Sequence, residues 1–210
     1  MSLSSFIARQ SARPQGLFGR IFFFFFFDRA NAAANSLVHD LLPYDAESRL
    51  LEVGFGGGDL LLRIAQNLKT GRIDGLELSR EMISRARRRA RRMRLDHRIG
   101  LHWGSVDALP FSDSTFDCAC SVHTIYFWPD LNRGIAELAR VVKPGGALVL
   151  GFSSIDALES DGWVEQGFRA YSADQIGQAC GANGFEHELL GESERRSQGR
   201  HFALRVVKSA

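Results

Sequence analysis

An acid and three glycines at alternating positions stand in the stretch LLEVGFGGGDLL, as Glu52, Gly54, Gly56 and Gly58. Glycine lets a ligand approach the backbone closely, and the start of the helix predicted to follow offers free N–H groups. A dinucleotide loop of the form G-x-G-x-x-G would need glycine at the next position, which holds Asp59. The stretch therefore predicts a ligand site at a strand-to-helix turn, and it weakens the case for a nicotinamide cofactor.

A second acid, Glu77, closes the next predicted strand about twenty residues further on. A carboxylate there can accept hydrogen bonds from both hydroxyls of a ribose, so a nucleoside is the ligand that this spacing favours. Taken alone, Glu77 fits a solvated strand end equally well. The following loop, GSVDALPFSDSTFD, contains a further acid, Asp107, which fits an ordinary turn residue equally well.

His123 follows the fourth predicted strand in FDCACSVHTIYFW. Open α/β sheets bind ligands at the carboxyl ends of their strands, and histidine is the usual general base near neutral pH. We therefore predict that His123 is a base or a substrate orienter, with Tyr126, Phe127 and Trp128 as walls of the substrate site. The alternative is that the aromatic residues only pack and that the histidine bonds only backbone.

Strands and amphipathic helices alternate from Arg49 onward and must position these residues. Short apolar runs such as RLLEVGF and RIDGLEL predict buried strands, and GDLLLRIAQNLK has helical spacing. The helix SREMISRARRRARRMR is predicted to begin at the cap Ser79, and SADQIGQACGANGF to be capped at Ser172 or Asp174 and to end near Gly184. This alternation predicts an α/β fold with a mostly parallel sheet and helices on both faces. The closing segments FEHELLGES and RHFALRVVK predict an antiparallel hairpin at one edge.

Four motifs in this order, LLEVGFGGGDLL, the acid Glu77, GSVDALPFSDSTFD and VVKPGGALVL, resemble the class I S-adenosylmethionine-dependent methyltransferases. Within that class the chain is similar to the methyltransferase type 11 group, which includes ubiquinone and menaquinone C-methyltransferases. The resemblance covers roughly Leu50 to Phe152. It implies a Rossmann-like, doubly wound, seven-stranded sheet, S-adenosylmethionine as cofactor and S-adenosylhomocysteine as product.

The resemblance also implies roles for individual residues. It places Asp107 where the family accepts a hydrogen bond from the adenine amino group, with Ala108 beside the ring. The full set of implied cofactor-binding residues is Glu52, Gly54, Phe55, Gly56, Gly58, Glu77, Leu78, Met82, Asp107, Ala108, Ser121 and Val122. Methyl transfer from a sulfonium is an in-line displacement that needs alignment and exclusion of water, so no obligatory catalytic residue follows. The implied acceptor is a small molecule, and a lipophilic one is an option.

Composition narrows the remaining alternatives. The chain has 210 residues, 45% hydrophobic and 24% charged, with a net charge of +2, which suits one soluble domain. Its three cysteines lack zinc spacing and are expected to be buried, and its histidines show no metal-ligand spacing, so we expect no metal. A reducing, cytoplasmic setting fits best.

Seven arginines crowd one predicted helix: Arg85, Arg87, Arg88, Arg89, Arg91, Arg92 and Arg94. Such a helix can hold RNA phosphates or anionic lipid, but a solvated outer face is the interpretation we favour, and nucleic acid is the weaker choice because aromatic residues are not interleaved. A non-catalytic, cofactor-binding regulator and a nicotinamide oxidoreductase are the other functions left open.

The run Phe22 to Phe27 lies in GRIFFFFFFDRANAAAN. Its apolar stretch is far shorter than the about 20 residues that cross a bilayer, and Asp28 and Arg29 argue against a signal peptide. The run offers a dimer contact, a membrane-surface contact or no benefit at all. We expect residues 1–20 to be disordered, 21–48 to form a helical segment or lid, and 49–210 to form the methyltransferase domain.

Overall fold

The computed structural model describes residues 31–195 and 199–209. Three sequence-based expectations therefore lie wholly or partly outside the described residues. They concern the phenylalanine run Phe22–Phe27, the disorder expected for 1–20, and the first part of the segment 21–48.

Seven strands of the described chain form one sheet in the order β3-β2-β1-β4-β5-β7-β6. They are β1 Arg49–Val53, β2 Arg72–Glu77, β3 Ile99–Trp103, β4 Phe116–Val122, β5 Val142–Ser153, β6 Phe185–Arg195 and β7 Gly199–Lys208. The strands β1 to β5 are parallel, whereas β7 lies antiparallel to both β5 and β6. The predicted parallel sheet with an antiparallel edge hairpin is confirmed.

Helices follow the strands in the predicted alternation. They are α1 Ala32–Leu41, α2 Asp59–Asn67, α3 Arg80–Arg92, α4 Leu131–Val141, α5 Ile155–Ser160 and α6 Ala173–Gly181, with short 3-10 turns at Asp96–Arg98, Ile125–Phe127 and Val164–Gln166. None of these helices combines the length and the apolar character needed to cross a bilayer.

The sheet is covered on both faces because successive side chains of a strand point to opposite sides. Leu51 belongs to a core that includes Ile135 of α4, while its neighbour Leu50 belongs to a second core that includes Leu61 of α2. All four side chains are fully buried. A sheet covered on both faces explains why the parallel strands are almost continuously apolar.

Local capping chemistry sets the helix starts that the sequence predicts. The Ser79 hydroxyl accepts the N–H of Met82 at 3.3 Å and begins α3. Ser172 forms a reciprocal capping box with Gln175 and begins α6, which settles the choice of cap. The helix α6 ends at Gly181, slightly before the predicted stop at Gly184.

The strands β1 and β4 lie side by side at the point where the chain order of the sheet reverses. Val53 pairs with Ser121 in the last row of this parallel ladder. The connection after β1 runs to one side of the sheet and the connection after β4 runs to the other, so a crevice opens above their carboxyl ends. The glycine loop and His123 therefore meet across that crevice.

Candidate functional site

A cavity of about 550 Å³ occupies this crevice. One end is lined by the glycine loop and the ends of β1 and β2, and the other by the 3-10 turn Ile125–Phe127, helix α5 and the segment up to Phe168. Asn31 and Asn35, at the start of α1, also line it. The cavity thus has one compartment beside the glycines and one beside the aromatic residues.

The three glycines of the loop have positive φ angles, which residues with a side chain rarely adopt. Gly54, Gly56 and Gly58 have φ angles of +73°, +50° and +85°. A Cβ on Gly54 would overlap the methyl group of Thr124, whereas a Cβ on Gly56 would meet no described atom within 4 Å. Gly54 is therefore needed for packing against the loop after β4, and Gly56 leaves open space on the cavity side.

Glu77 is bonded to the glycine loop. Its Oε2 accepts the N–H of Gly56 at 3.0 Å and its Oε1 accepts the N–H of Ser79 at 2.9 Å. Burial raises the pKa of Glu77, and these backbone hydrogen bonds oppose that effect. Each carboxylate oxygen can accept a second hydrogen bond, which is the capacity that a pair of ribose hydroxyls requires.

Glu52 is a buried acid on the cavity wall, 4% exposed. Its Oε2 has no hydrogen-bond partner among the described residues. Burial, together with the negative charges of Asp59 and Glu77, raises the pKa of Glu52 to about 8. A buried carboxyl without a partner suits a cationic ligand, which would stabilise its ionised form.

Among the described residues, the acidic side chains that line the cavity are not balanced by any lysine or arginine in the lining. Four carboxylates line it, those of Glu52, Asp59, Glu77 and Asp161, and no lysine or arginine lines it within the described part of the chain. The site therefore favours a ligand of positive charge over a phosphate or carboxylate.

Arg89 is a supporting residue that the sequence analysis did not identify. Its Nη1 donates to the carbonyl oxygen of Gly57 at 2.7 Å, and its Nη2 bonds Asp59. One arginine of the basic helix α3 thus holds the glycine loop from behind. Neighbouring arginines such as Arg87 and Arg88 are exposed, as the solvated-face interpretation predicts.

The loop after β3 differs from the expectation drawn from the family resemblance. Ser105 and Val106 line the cavity, whereas Asp107 and Ala108 do not. The N–H of Ala108 bonds the carbonyl of Ser105 at 3.2 Å, so the chain turns at this point, and the Oδ1 of Asp107 is buried without a hydrogen-bond partner among the described residues.

The other residues predicted to bind the cofactor also divide into those that line the cavity and those that do not. Phe55, Leu78, Met82 and Val122 line the cavity. Gly58 and Ser121 lie behind its lining, because Gly58 caps α2 and the hydroxyl of Ser121 is buried and bonded to the carbonyl of Val53 at 2.8 Å.

His123 is held in one orientation. Its φ is +54°, and its N–H donates to Gly151 at 2.8 Å. Tyr126 Oη accepts the N–H of Ser153 and lies 3.2 Å from His123 Nδ1. Burial raises the pKa of Tyr126 to about 12, so the phenol stays protonated. We adopt for neutral His123 the tautomer in which the phenol donates to Nδ1 and the ring proton is on Nε2.

Burial bears on which of the two roles predicted for His123, base or orienter, suits it better. Burial, and to a smaller extent the nearby His201, lowers the pKa of His123 to about 3. A histidine with so low a pKa and its Nδ1 already bonded is a poor base but a good hydrogen-bond donor through Nε2. The geometry favours the orienting role.

His201 and Ser153 belong to the same polar group, and the sequence analysis missed both. The antiparallel pairing of β5 with β7 puts Ser153 opposite His201, and the serine hydroxyl lies 3.3 Å from His201 Nδ1. The centres of the His123 and His201 rings are 5.1 Å apart. No short-range sequence signal connects these positions, because a long stretch of chain separates them.

Aromatic side chains build the remaining wall. Tyr126, Phe127 and Trp128 line the cavity as predicted, joined by Trp163 and Phe168. The ring of Phe168 lies 4.7 Å from that of Phe127 and 5.0 Å from that of Trp163, measured between centres. This second compartment suits an apolar molecule.

Comparison with known proteins agrees with this geometry. Residues 51–150 match the model of a family described as a methyltransferase domain. This stretch of the chain is a methyltransferase domain. The resemblance and the fold predicted from the sequence are thereby confirmed.

Two proteins similar to this chain are named as methyltransferases. The 27-O-demethylrifamycin SV methyltransferase of Amycolatopsis mediterranei (strain S699) is 32% identical over 111 residues, which are 53% of this chain and 40% of the relative. The ubiquinone/menaquinone biosynthesis C-methyltransferase UbiE of Rickettsia rickettsii (strain Sheila Smith) is 30% identical over 155 residues, 70% of this chain and 60% of the relative. The chain therefore spans about half the length of these proteins.

Solved structures share the fold of the methyltransferase domain. The [4+2]-cyclase SpnF superposes with a TM-score of 0.76 at 24% identity, covering 87% of this chain and 82% of that one. The geranyl diphosphate C-methyltransferase of Streptomyces coelicolor A3(2), in complex with Mg²⁺, geranyl diphosphate and S-adenosylhomocysteine, has a TM-score of 0.71 at 16% identity, covering 87% and 80%. At such identities these likenesses show the fold alone.

Proposed function

We propose that this protein is an S-adenosylmethionine-dependent methyltransferase that acts on a small, lipophilic molecule. The observation that carries the proposal is the bond between Glu77 and the N–H of Gly56 at the cavity, beside a buried Glu52 oxygen that has no partner among the described residues. Membership of residues 51–150 in the methyltransferase domain family supports it.

The residues present fit this cofactor. The carboxylate of Glu77 would hold the ribose hydroxyls, Gly56 leaves space for the ligand, and Glu52, whose pKa is raised to about 8, would ionise beside a bound cation. Leu78, Met82, Ser105 and Val106 line the same end of the cavity and would enclose the adenine. When bound, the cofactor supplies a methyl group on a positively charged sulfur.

The chain itself contributes position and exclusion of water. The aromatic residues after β4 would place the acceptor against the glycine end of the cavity, and His123 Nε2 would donate a hydrogen bond to it. Burial of Tyr126 and Trp128, both 4% exposed, keeps this wall dry. We propose no obligatory catalytic base.

Calorimetric titration with S-adenosylmethionine, S-adenosylhomocysteine and NAD tests the cofactor assignment. We expect dissociation constants on the order of micromolar for the two adenosyl ligands and no binding of NAD. Glu77→Ala should abolish binding, and the exposed Glu47→Ala should leave it unchanged, with circular dichroism confirming that both variants fold. Failure of the wild-type protein to bind either adenosyl ligand would contradict the proposal.

Transfer itself is tested by incubating the protein with cofactor and a series of lipophilic phenols and quinones. Mass spectrometry should find a product heavier by one methylene unit. Tight cofactor binding without transfer to any acceptor would favour the alternative of a non-catalytic, cofactor-binding regulator.

A further inference from the structure

The aromatic compartment is shaped by flat rings. Phe127, Trp163 and Phe168 line it, and their ring contacts form a continuous wall that begins at the 3-10 turn and ends beyond α5. Arg169 Nη1 donates to the carbonyl of Trp128 at 3.0 Å and fastens the end of this wall to the loop after β4. Such a wall favours a planar, apolar molecule, because aromatic faces gain from ring contacts beyond simple burial of area.

The described lining of the cavity offers no cationic side chain to an anionic acceptor. Within the described residues no lysine or arginine lines the cavity, while Asp161 lines it near the aromatic wall. A phosphate or carboxylate moved there would lose its hydration without gaining a cation. This differs from the geranyl diphosphate C-methyltransferase of the same fold, whose bound molecule is a diphosphate in the presence of Mg²⁺.

One polar group interrupts the aromatic wall. We name it the histidine corner: His123, Tyr126, Ser153 and His201. All four line the cavity, and hydrogen bonds connect Ser153 with Tyr126, Tyr126 with His123, and Ser153 with His201. In the tautomer adopted for His123 the ring proton is on Nε2, and the hydroxyl of Ser153 both donates and accepts. A ligand hydroxyl, which also donates and accepts, matches this pair of groups.

The histidine corner is built in advance of any ligand. The left-handed backbone of His123 is uncommon for a residue with a side chain, and such strain is concentrated at functional sites. Its cost is offset by the bond from the His123 N–H to Gly151 and by the contact with Tyr126. A rigid polar corner in an aromatic wall orients a bound molecule as well as holding it.

We propose that the aromatic compartment binds an uncharged aromatic acceptor and that the histidine corner holds its hydroxyl group. This inference rests on the proposed function, which assigns the other end of the cavity to the cofactor. It makes His123 and His201 the residues that select the acceptor.

The test uses the full chain saturated with S-adenosylhomocysteine, after calorimetry has shown that this ligand binds. The probes are 2-naphthol, naphthalene and 2-naphthyl phosphate, and the measurements are their affinities and the ¹⁵N spectrum of labelled histidines. We expect 2-naphthol to bind about tenfold more tightly than either of the other two, which corresponds to one hydrogen bond. The signals of His123 and His201 should shift with 2-naphthol and stay in place with naphthalene.

Variants separate the histidine corner from the fold. His123→Asn, in which asparagine tolerates positive φ, and His201→Phe should each lower the affinity for 2-naphthol about tenfold, to the level of naphthalene. Ser153→Ala should act in the same direction if a histidine variant does not fold. The exposed His97→Phe is the matched control and should change nothing. Affinity for S-adenosylhomocysteine should be kept in every variant.

Several results would overturn the inference: equal affinity for 2-naphthol and its phosphate, binding of no probe, or histidine signals unmoved by 2-naphthol. A wild-type protein that fails to bind S-adenosylhomocysteine contradicts the proposed function instead, so the two failures are distinguishable.

Discussion

Gly56 and Gly145 have the same kind of backbone but different surroundings. Their φ angles are +50° and +76°, and a Cβ on either would meet no described atom within 4 Å. Gly56 lines the cavity, whereas Gly145 lies in the turn within β5 between Val142 and Ala147, where the pairing with β4 shifts register. Glycine at the first position keeps space for a ligand, and at the second it serves only the turn.

We therefore expect Gly56→Ala and Gly145→Ala to lower the free energy of unfolding by a similar amount, about 1 kcal/mol, because both force a side chain into a left-handed backbone. Only Gly56→Ala should weaken binding of S-adenosylmethionine, by at least about tenfold. Thermal unfolding and calorimetry measure the two effects. Equal loss of affinity in both variants would show that strain, not lost space, is responsible.

Glu52 should couple cofactor binding to pH. Its pKa is raised to about 8, so the carboxyl is mostly protonated at neutral pH, and a bound cation stabilises its ionised form. Affinity for S-adenosylmethionine should then rise several-fold from about pH 7 to about pH 8 and level off above, with proton release on binding.

Calorimetry in buffers of different ionisation enthalpy measures that proton release. Glu52→Gln is the control, because titration of the ligand itself is common to both proteins. Release of the same number of protons by the variant and the wild-type protein would contradict a role for Glu52.

The long side chain of Arg89 joins α3 to the glycine loop. Arg89 bonds Gly57 and Asp59, while its neighbour Arg88 is exposed to solvent. Arg89→Ala should lower affinity for S-adenosylhomocysteine about tenfold, because the loop loses a charge-assisted bond that holds its shape. Arg88→Ala should leave affinity unchanged. Calorimetry on both variants decides, and equal effects would mean that the net charge of α3 is what matters.

We expect the stability of the whole chain to depend on a buried acid in β2, Asp74. Asp74 is 2% exposed and bonds His102 at 2.9 Å, with Arg72 and Arg49 beside it. Burial opposes ionisation of Asp74, but the bond from His102 and the two arginine charges outweigh it and lower its pKa below 3.8. The stability that this lowered pKa contributes is fully present at pH values above the pKa of Asp74 in the unfolded chain. It is lost as the pH falls through the pKa of Asp74 in the folded chain.

Asp74→Asn should accordingly reduce the free energy of unfolding by about 2 kcal/mol at pH 7. The difference in unfolding free energy between the variant and the wild-type protein should shrink as the pH falls below about 4. The Asp74 carboxyl is then protonated first in the unfolded chain and, at lower pH, in the folded chain. Urea unfolding at several pH values measures this, with the exposed Glu47→Gln as control. A difference independent of pH would show that shape, not charge, is what Asp74 contributes.

Local patterns in the sequence determined the element order, the glycine loop, the cap at Ser79 and the aromatic wall at Tyr126 to Trp128. Strand and helix periodicity, capping and turn chemistry act over a few residues, so one segment contains all the information they need. The family motifs added Glu77 as a residue that holds the ribose, and the structure places its carboxylate within hydrogen-bond distance of the Gly56 N–H.

Only the tertiary structure decided which residues complete the site. His201 reaches Ser153 through the pairing of β5 with β7, and Arg89 reaches Gly57 from another helix. In the loop after β3, Ser105 and Val106 belong to the cavity lining and Asp107 does not. Contacts between distant segments and the direction of a side chain in a turn depend on how the elements pack, and no local pattern contains that information.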